Sequence, residues 1–483
     1  MMFQKKTKIV STLGPASDDE KIMLKMIRAG VNVFRINCSH SSHEQMENFV
    51  EKIRKINREN NLNISILSDL QGPKLRIGTV KEGTFIKKKD VLLFTNQECI
   101  GDSEKVFMTY KNFAKDVKVG ERILLDDGKL IFNVVSTDGL GEVKAEVLQG
   151  GELKSNKGVN LPNTKVSLPA LTPKDIEDVI LSVKLGVDWL ALSFVRDEKD
   201  VLELSELIKK HNSSIPIISK IEKPEAIEKI DSILEVTDAI MVARGDLGIE
   251  IPAESVPLIQ KKIVLKAKKK AKPVIVATQM LESMIDNLIP TRAEINDVAN
   301  SVLDGCDAVM LSAETSVGKH PVEVVEQMKK VLQSVEEDES IRNFTQEPKD
   351  KSSEGYVTDY ICYNASSMAK GIKAEAVIAF TYSGYTPYKV SSYRPNAHII
   401  AFTSNRNLLT RLNLLWGVRA FFYDKDVSTD QAVEEVNQFC LKNKIVRKNA
   451  LVVNMSSMPL HKKGRVNTIR ITRLICNCTK GKE

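Results

Sequence analysis

From residue 8 onward the chain alternates short apolar runs with longer amphipathic stretches. Continuous runs rich in Val, Ile and Leu are typical of parallel strands that helices cover on both faces. Eight such runs precede residue 315, at 8–14, 31–39, 64–71, 188–195, 215–222, 239–246, 273–279 and 307–314. A count of eight favours an α/β fold closed into a (β/α)8 TIM barrel, with a doubly wound open sheet as the alternative.

The interval between the third and fourth runs has a different pattern. Short β segments are predicted at 91–94, 106–109, 121–125, 129–135 and 143–147, and Asp126-Asp127-Gly128 is typical of a hairpin turn. We therefore predict a small β-barrel domain, residues 73–168, inserted after the third strand. Because this insert leaves the carboxyl end of a barrel strand, we expect it to lie over the active-site mouth as a lid.

The pattern changes again near residue 345, where a polar, charged stretch predicts a linker up to residue 355. Five further apolar runs follow, at 376–381, 398–403, 418–423, 450–455 and 468–472, with helical stretches between them. The predicted domains are therefore a catalytic barrel (1–72 and 169–344), the inserted β domain and a C-terminal α/β domain (345–483).

Composition changes this interpretation little, since 42% of the 483 residues are hydrophobic, 28% are charged and the net charge is only +7. One basic cluster is better explained as a solvated helix face than as a nucleic-acid patch: Lys266, Lys268, Lys269, Lys270 and Lys272. The seven cysteines lack framework spacing, and no stretch has the length of a signal-peptide core or a membrane span. We expect a cytoplasmic protein with reduced thiols and no nucleic-acid or membrane partner.

Polar side chains are concentrated at the ends of the barrel runs. The second run carries Arg35, Asn37 and Ser39 at alternate positions, which share one face of a strand. Other runs end in similar groups: Asp69, Lys220 with Glu222, Arg244-Gly245-Asp246, Thr278, and Ser312 with Glu314. One such residue could simply be a surface residue at a strand end. Polar residues at the same end of six strands indicate a catalytic mouth. Its mixture of cations and carboxylates suits an anionic substrate and a hard metal ion.

Two carboxylates on neighbouring strands, Glu222 and Asp246, could hold Mg²⁺ while substrate oxygens and water complete its coordination. Lys220 could be a Schiff-base nucleophile or a fixed positive charge. Because the adjacent Glu222 should keep it protonated, the electrostatic role is favoured. The sequence contains no P-loop, dinucleotide-binding or HExxH motif. A barrel lyase or aldolase and a catalytically silent RNA-binding protein remain as alternatives.

Several longer segments carry a resemblance to a known family. They are KIVSTLGPAS from residue 8, FRINCSH from 34, ISKIEKPEA from 218, MVARGDLGIEIP from 241, VATQMLESM from 276 and PTRAEINDVANSVLDGCDAVMLSAET from 290. Over essentially its full length the chain resembles the pyruvate kinase family. The resemblance implies Mg²⁺-dependent transfer of a phosphoryl group from phosphoenolpyruvate to ADP, giving pyruvate and ATP, with Mn²⁺ as a substitute metal. It also implies a homotetramer.

The resemblance assigns roles to the residues at the mouth. Arg35 would bind the transferring phosphoryl group, and Lys220 would stabilise that group and the enolate left behind. Glu222 and Asp246 would hold Mg²⁺, and Thr278 would help to protonate the enolate carbon. These roles agree with phosphoryl transfer as a matter of positioning and charge neutralisation.

The resemblance also places the remaining substrate groups. The backbone at Gly245 and Asp246 would receive the substrate carboxylate, and Arg76 in the insert would bind nucleotide phosphates together with Asn37 and His40. A capping or packing role is the simpler interpretation of His40 taken alone.

The family's K⁺ site is altered in this chain. Asn37, Ser39 and Asp69 match its ligands, but Leu70 replaces a Thr and cannot offer a hydroxyl. K⁺-requiring members carry Glu at the position of Lys74. Members with the DLQGPK pattern, which residues 69–74 of this chain share, carry Lys there. A lysine ammonium is a tethered monovalent cation, so we predict activity that does not require K⁺.

The C-terminal domain resembles the family's regulatory domain. Thr381, Ser383, Gly384 and Thr386 match a phosphate-binding loop, which implies an effector site for a phosphorylated metabolite. An ordinary strand–helix turn is the alternative. Positive charge near this loop could come from Lys462, Lys463 and Arg465. Asp197 replaces a nucleotide-contacting Lys of some members, so that contact is in doubt.

Overall fold

The first unit of the fold is a closed barrel of eight parallel strands. The structure, a computed structural model, describes residues 5–162, 164–338, 341, 347–458 and 465–475. The barrel strands are β1 (Lys8–Thr12), β2 (Val33–Asn37), β3 (Ser65–Asp69), β12 (Trp189–Leu192), β13 (Ile217–Ile221), β14 (Ala239–Ala243), β15 (Val274–Ala277) and β16 (Ala308–Leu311). Their order is β1-β16-β15-β14-β13-β12-β3-β2. Each predicted run supplies one strand, and the TIM barrel is confirmed.

Burial on both faces explains why these strands have continuous apolar sequences. Val10, Trp189 and Met241 belong to a core formed by one face of the strands, inside the barrel. Their neighbours, such as Ile9 and Ile240, belong to a separate core that the strands share with the surrounding helices. A strand placed between two apolar layers cannot alternate polar and apolar residues.

Helices connect the barrel strands and cover them. They are α1 (Glu20–Ala29), α2 (His43–Asn60), α4 (Pro173–Leu185), α5 (Glu198–Lys210), α6 (Pro224–Glu228), α7 (Ile230–Val236), α8 (Arg244–Glu250), α9 (Val256–Lys269), α10 (Arg292–Asp304), α11 (Ala313–Ser316) and α12 (Pro321–Val335). Capping boxes begin α2, α4 and α10 at Ser42, Thr172 and Thr291. Gly305 ends α10 with a φ of 97°, in the region that favours glycine. No helix in the described ranges is long and apolar enough to cross a membrane.

The insert between β3 and β12 is a β domain with its own core. Its elements are β4 (Phe85–Ile86), β5 (Val91–Thr95), β6 (Lys105–Phe107), α3 (Phe113–Asp116), β7 (Arg122–Leu125), β8 (Leu130–Thr137), β9 (Glu142–Gln149), β10 (Gly151–Glu152) and β11 (Val159–Asn160). Six strands form one sheet in the order β11-β7-β8-β9-β5-β6, and β10 pairs with β4. The predicted hairpin turn is confirmed, since Asp126, Asp127 and Gly128 join β7 to β8 with positive φ angles.

Hydrogen bonds join the insert to the carboxyl end of the barrel. Arg196, which follows β12, donates to the carbonyls of Val166 (3.1 Å) and Leu168 (2.8 Å). Asn160 on β11 donates to the Glu250 carboxylate of α8 at 2.9 Å. The insert therefore lies over the barrel mouth, as its point of departure predicts.

The C-terminal unit is a five-stranded sheet flanked by helices. Its elements are α13 (Tyr356–Gly371), β17 (Ala376–Phe380), α14 (Tyr385–Ser392), β18 (His398–Thr403), α15 (Arg406–Arg411), β19 (Val418–Phe422), α16 (Thr429–Lys442), β20 (Leu451–Ser456) and β21 (Thr468–Arg473). The order is β19-β18-β17-β20-β21, with only β21 antiparallel to its neighbour. The five predicted strands are all present.

This C-terminal unit packs against the amino end of the barrel, opposite the insert. Lys6 Nζ donates to the carbonyl of Pro395 at 2.9 Å, and Lys8 Nζ donates to that of Val418 at 2.7 Å. Arg394 lies over the Trp416 ring and pairs with Asp307 at 3.0 Å. Any effect of this unit on the mouth must therefore pass through the barrel or the insert.

The cysteines agree with the predicted absence of a disulfide framework. Those in the described part of the chain carry free thiols: Cys38, Cys99, Cys306, Cys362 and Cys440. Cys476 and Cys478 lie outside the described residues.

Candidate active site at the barrel mouth

Lys220 lies at the centre of a buried group of polar side chains. Its Nζ is 3.0 Å from Glu222 Oε1, 3.3 Å from Asp69 Oδ1 and 2.7 Å from Ser193 Oγ. Burial alone would lower the pKa of Lys220, but Asp69 and Glu222 outweigh it and raise that pKa. The amine is therefore held as an ammonium ion, which disfavours a Schiff base because that reaction needs the neutral amine.

Asp69 joins Lys220 to the second cation of the site. Its Oδ2 accepts from Arg35 Nε at 2.6 Å, and Arg35 Nη1 donates to Thr12 Oγ1 at 3.0 Å. Burial would raise the pKa of Asp69, yet the charges of Lys220 and Arg35 lower it. One buried carboxylate, only 1% exposed, thus positions two cations from different strands.

Glu222 and Asp246 provide carboxylate oxygens beside this pair of cations. Glu222 is fully buried, and its Oε2 accepts from the Phe194 N–H at 2.7 Å. Its Oε1 contacts Lys220 without hydrogen-bond geometry. Burial raises the pKa of Glu222, and the charge of Asp246 raises it further although Lys220 opposes them. An added cation near Glu222 and Asp246 would oppose this rise in the pKa of Glu222.

These two carboxylates fit Mg²⁺ better than a metal held by protein alone. The described residues contain no group of three or more His, Cys, Asp or Glu side chains suited to a metal ion. Mg²⁺ usually takes one or two carboxylates and completes its shell with water and substrate oxygens. The unbonded Oε1 of Glu222 is the oxygen that a hard cation would use.

Thr278 occupies a constrained turn after β15. Its φ is 70°, which is uncommon for a β-branched residue, and its Oγ1 accepts from the Gly245 N–H at 2.8 Å. Arg244 Nη2 donates to the Thr278 carbonyl at 2.6 Å, and the same guanidinium makes a bidentate pair with Asp297 at 2.5 and 2.7 Å. The Arg244–Asp297 pair thus stabilises the turn at Thr278.

Family comparisons agree with this geometry. A family model described as the pyruvate kinase barrel domain matches residues 4–325, and one described as the pyruvate kinase alpha/beta domain matches residues 359–472. The chain belongs to the pyruvate kinase family. Membership identifies it as a phosphotransferase whose substrates and products are phosphoenolpyruvate, ADP, pyruvate and ATP.

Relatives match the chain over nearly all of its length. Pyruvate kinases of Corynebacterium efficiens and Geobacillus stearothermophilus are each 41% identical over 470 and 476 residues, covering 97% of this chain and 98% and 80% of the relatives. The crystal structure of a pyruvate kinase from Cryptosporidium parvum has a TM-score of 0.91 at 32% identity, covering 98% of this chain and 96% of that one. The likeness to pyruvate kinases therefore includes barrel, insert and C-terminal domain.

Two side chains assigned to the nucleotide side, His40 and Arg76, lie at the same mouth. Partial burial lowers the pKa of His40, and the charges of Arg76, Lys74 and Arg35 lower it further, so these groups are close to one another. Arg76 Nη1 donates to the Asn156 carbonyl at 2.9 Å within the insert. This arrangement concentrates positive charge around His40 at the mouth.

The residues that match the family's K⁺ ligands have a specific local geometry. Asn37 Oδ1 accepts from the Ser39 N–H at 3.1 Å, while the Leu70 side chain is buried and its carbonyl accepts from Ser193 Oγ at 2.7 Å. Lys74 is exposed and makes no ion pair within the described residues. It lines a cleft beneath the insert together with Asp246. The ammonium of Lys74 is therefore available near the mouth.

Asp197 has a structural use in this chain. Its Oδ1 caps α5 by accepting from the Lys199 N–H at 3.1 Å, and its Oδ2 pairs with Lys229 at 2.9 Å. Both carboxylate oxygens are thus engaged on the barrel surface.

The proposed effector loop lines a cavity of about 880 Å³ in the C-terminal domain. Thr381 Oγ1 accepts from the Gly384 N–H at 2.9 Å, and Gly384 has a φ of 90° at the start of α14. Thr358 lines this cavity, and its buried Oγ1 has no hydrogen-bond partner among the described residues. Arg465 also lines it but pairs with Glu354 at 2.7 Å. Lys462 and Lys463 lie outside the described residues.

Two residues that contribute to the mouth, Ser193 and Asp297, are absent from the sequence prediction. Ser193 orients Lys220, and the Arg244–Asp297 pair supports Thr278. Ser193 directly follows β12, so the strand-end rule that found the other residues would also have found it. Asp297 lies on α10 and has no local pattern that indicates its partner.

Proposed function

We propose that this site transfers the phosphoryl group of phosphoenolpyruvate to ADP with Mg²⁺ and without a requirement for K⁺. The observation that carries the proposal is the pair of cations, Lys220 and Arg35, bridged by Asp69 beside the carboxylates Glu222 and Asp246. This group combines fixed positive charge with hard oxygen ligands, as phosphoryl transfer requires.

The reaction breaks the bond between phosphorus and the enol oxygen and forms a bond from phosphorus to a β-phosphate oxygen of ADP. Arg35 and Lys220 neutralise the phosphoryl oxygens during transfer, and Asp69 keeps both cations in place. Glu222 and Asp246 would hold Mg²⁺, which supplies further positive charge to those oxygens when bound. Because these groups are pre-positioned, little reorganisation accompanies the step.

The enolate that remains must gain a proton at carbon to become pyruvate. Lys220 stabilises its oxygen, and Thr278 Oγ1 is the hydroxyl on this side of the mouth that can orient or pass a proton. The substrate carboxylate would bind at the first turn of α8, at Gly245 and Asp246. There it would compete with Thr278 Oγ1 for the Gly245 N–H, while the Thr278 hydroxyl keeps its own hydrogen bond to the Ala277 carbonyl at 2.5 Å.

ADP would bind between the barrel and the insert. Arg76, Asn37 and His40 would contact its phosphates, with the cationic character of Arg76 and Lys74 providing the attraction. The contacts of Arg196 and Asn160 with the two parts would fix the insert over the bound nucleotide.

Lys74 would replace the K⁺ ion of other family members. Its exposed ammonium shares a cleft with Asp246, whereas Leu70 offers no side-chain ligand beside Asn37 and Ser39. A tethered cation would therefore supply the positive charge that a free ion supplies elsewhere.

The first test is pyruvate formation from phosphoenolpyruvate and ADP with Mg²⁺, in K⁺-free buffer and with K⁺ added. Equal turnover in both supports the reaction and the role of Lys74. Turnover only with K⁺ would retain the reaction and refute that role. No turnover from folded protein, with sugar-phosphate and nucleotide activators present, would refute the reaction.

We also propose that a phosphorylated metabolite regulates the enzyme from the C-terminal cavity. The loop at Thr381, Ser383, Gly384 and Thr386 offers hydroxyls and backbone N–H groups, and the unpartnered Thr358 hydroxyl points to a polar ligand. A negative charge introduced by Ser404→Asp, inside the same cavity, should abolish activation by sugar phosphates at low phosphoenolpyruvate without changing basal turnover. Unchanged activation would place the effector elsewhere.

A further inference from the structure

A second cavity, of about 360 Å³, lies between the C-terminal domain and the amino end of the barrel. One wall is formed by the segments that precede β13, β14 and β15, and the other by α14, α15 and the loop before α14. These three barrel strands are adjacent, so the cavity opens on the face opposite the catalytic mouth. None of the assigned catalytic residues contributes to it.

The cavity has an excess of positive charge. Four basic side chains line it, Lys270, Lys272, Lys389 and Arg411, against a single carboxylate, that of Asp238. Two of the four are already neutralised, because Lys270 pairs with Glu235 at 2.6 Å and Lys389 pairs with Asp359 at 2.8 Å. Lys272 and Arg411 therefore carry the remaining positive charge, against the single negative charge of Asp238.

Of Lys272 and Arg411, Arg411 is the clearer case of a cation without an ion-pair partner among the described residues. Its guanidinium is partly buried and makes no hydrogen bond or ion pair with any residue in the described part of the chain. Burial lowers its pKa, although the more distant charges of Asp188 and Asp238 oppose that effect. Asp188 is itself bonded to Arg54 at 3.1 Å and to Thr410 Oγ1 at 2.5 Å. A partly buried guanidinium rarely lacks an anion as its partner.

Lys272 and Tyr388 face the same space with spare donors. Lys272 Nζ donates to the Thr237 carbonyl at 2.6 Å but pairs with no carboxylate in the described ranges, and burial lowers its pKa. The Tyr388 hydroxyl has no hydrogen-bond partner there and is close enough to Arg411 for the guanidinium to act on its pKa. Two cations and a phenol thus converge on one cavity, and among the described residues only the Thr237 carbonyl accepts a hydrogen bond from any of the three.

We propose that this interdomain cavity binds the phosphoryl group of a small phosphate monoester or of inorganic phosphate. A phosphoryl anion suits two cations that form no ion pair within the described residues, and the guanidinium fork suits its oxygens. Pro216 and Leu408 give the cavity an apolar portion that can accommodate a short organic group. The chemistry of the lining, rather than the catalytic reaction, defines the ligand, so the inference does not depend on the proposed function.

The position of the site gives its ligand a structural consequence. An anion between Lys272 and Arg411 bridges the barrel and the C-terminal domain, so it strengthens their contact. Ser383 and Tyr385 line both this cavity and the larger cavity of the C-terminal domain. Occupancy of either cavity therefore bears on the other through a shared wall.

Calorimetric titration of the full chain with inorganic phosphate and with glycerol 3-phosphate tests the site. Arg411→Gln and Lys272→Met should each weaken one binding component by about tenfold or more, the loss expected for a charged hydrogen bond. Arg58→Gln and Lys209→Met are matched controls, because both residues are exposed and lie outside the cavity. Ser404→Asp alters only the larger cavity and should leave this component intact.

Anomalous diffraction from crystals soaked in selenate locates the anion directly. A peak within hydrogen-bond distance of Arg411 and Lys272 that is lost in Arg411→Gln supports the proposal. Tighter binding of glycerol 3-phosphate than of phosphate would identify the ester as the preferred source. Unchanged titrations in both cavity variants, or selenate found only at the Thr381 loop or the barrel mouth, would overturn it. Because Arg411 forms no hydrogen bond or ion pair with the residues that the structure describes, its loss should not impair folding.

Discussion

Replacing Lys220 with methionine tests the electrostatic core of the proposed reaction. Methionine keeps an unbranched side chain but removes the ammonium, which lies 3.0 Å from Glu222 and 3.3 Å from Asp69. Losing one preorganised donor to transition-state charge usually costs 10²–10³ in kcat, and a buried cation belongs at the upper end of that range. We therefore expect kcat to fall by about 10³ or more, equivalent to about 4 kcal/mol of barrier.

The substitution should also affect stability, since Glu222 would lose its cation while remaining buried. Breaking a buried ion pair costs about 3–5 kcal/mol when the remaining charge persists. Protonation of Glu222 limits that cost, because burial already raises its pKa. Added Mg²⁺ should recover part of the stability by compensating the carboxylate.

Pyruvate formation at saturating substrates, together with thermal unfolding with and without Mg²⁺, measures both effects. Lys209→Met is the control for loss of a lysine charge on the barrel surface. A folded Lys220→Met protein with kcat within tenfold of the parent would refute the assigned role.

Three further perturbations follow from particular contacts. Lys74→Glu should make turnover partly dependent on K⁺, and equal turnover with and without K⁺ in an active variant would contradict the tethered-cation proposal. Asp297→Asn breaks the bidentate pair with Arg244, so it should loosen the Thr278 turn and lower kcat about tenfold or more. An unchanged kcat would show that Asp297 does not support Thr278. Burial raises the pKa of Glu314 to about 7, so its contribution to stability is full below about pH 4.5 and is lost as pH rises through 7. Chemical unfolding across this range should show a loss of about 3 kcal/mol that is absent in Glu314→Gln, and equal pH profiles would contradict the assignment.

The sequence predicts the barrel well because each of its strands is covered on both faces. That burial imposes a continuous apolar run, which neither a helix nor a loop of this chain reproduces. The strands β4, β10 and β11 escape prediction because each has only two residues, too few for any periodicity. The docking of the C-terminal domain escapes it for another reason, since Lys6 and Arg394 act through partners far away in the sequence.

At the catalytic mouth, too, the sequence predicts where residues lie but not which of them contact one another. The strand-end rule places Arg35, Asp69 and Lys220 at one end of the barrel, but it cannot tell which of them touch. Asp69 lies on β3 and Lys220 on β13, with β12 between them, so only closure of the barrel brings the two charges together. The resemblance assigns Asp69 to a remnant of the K⁺ site, whereas its oxygens contact Arg35 and Lys220.

This use of Asp69 bears on the K⁺ question itself. A carboxylate that already compensates two fixed cations has little negative charge left to attract a third. Leu70 offers no side-chain ligand, so we expect the pocket around Asn37 and Ser39 to be a weaker cation site than its matching residues suggest. Independence from K⁺ would then rest on two features: a poor site for the free ion, and Lys74 as its substitute. For that reason Lys74→Glu alone should produce only a partial K⁺ dependence, and restoring a hydroxyl by Leu70→Thr in the same chain should complete it.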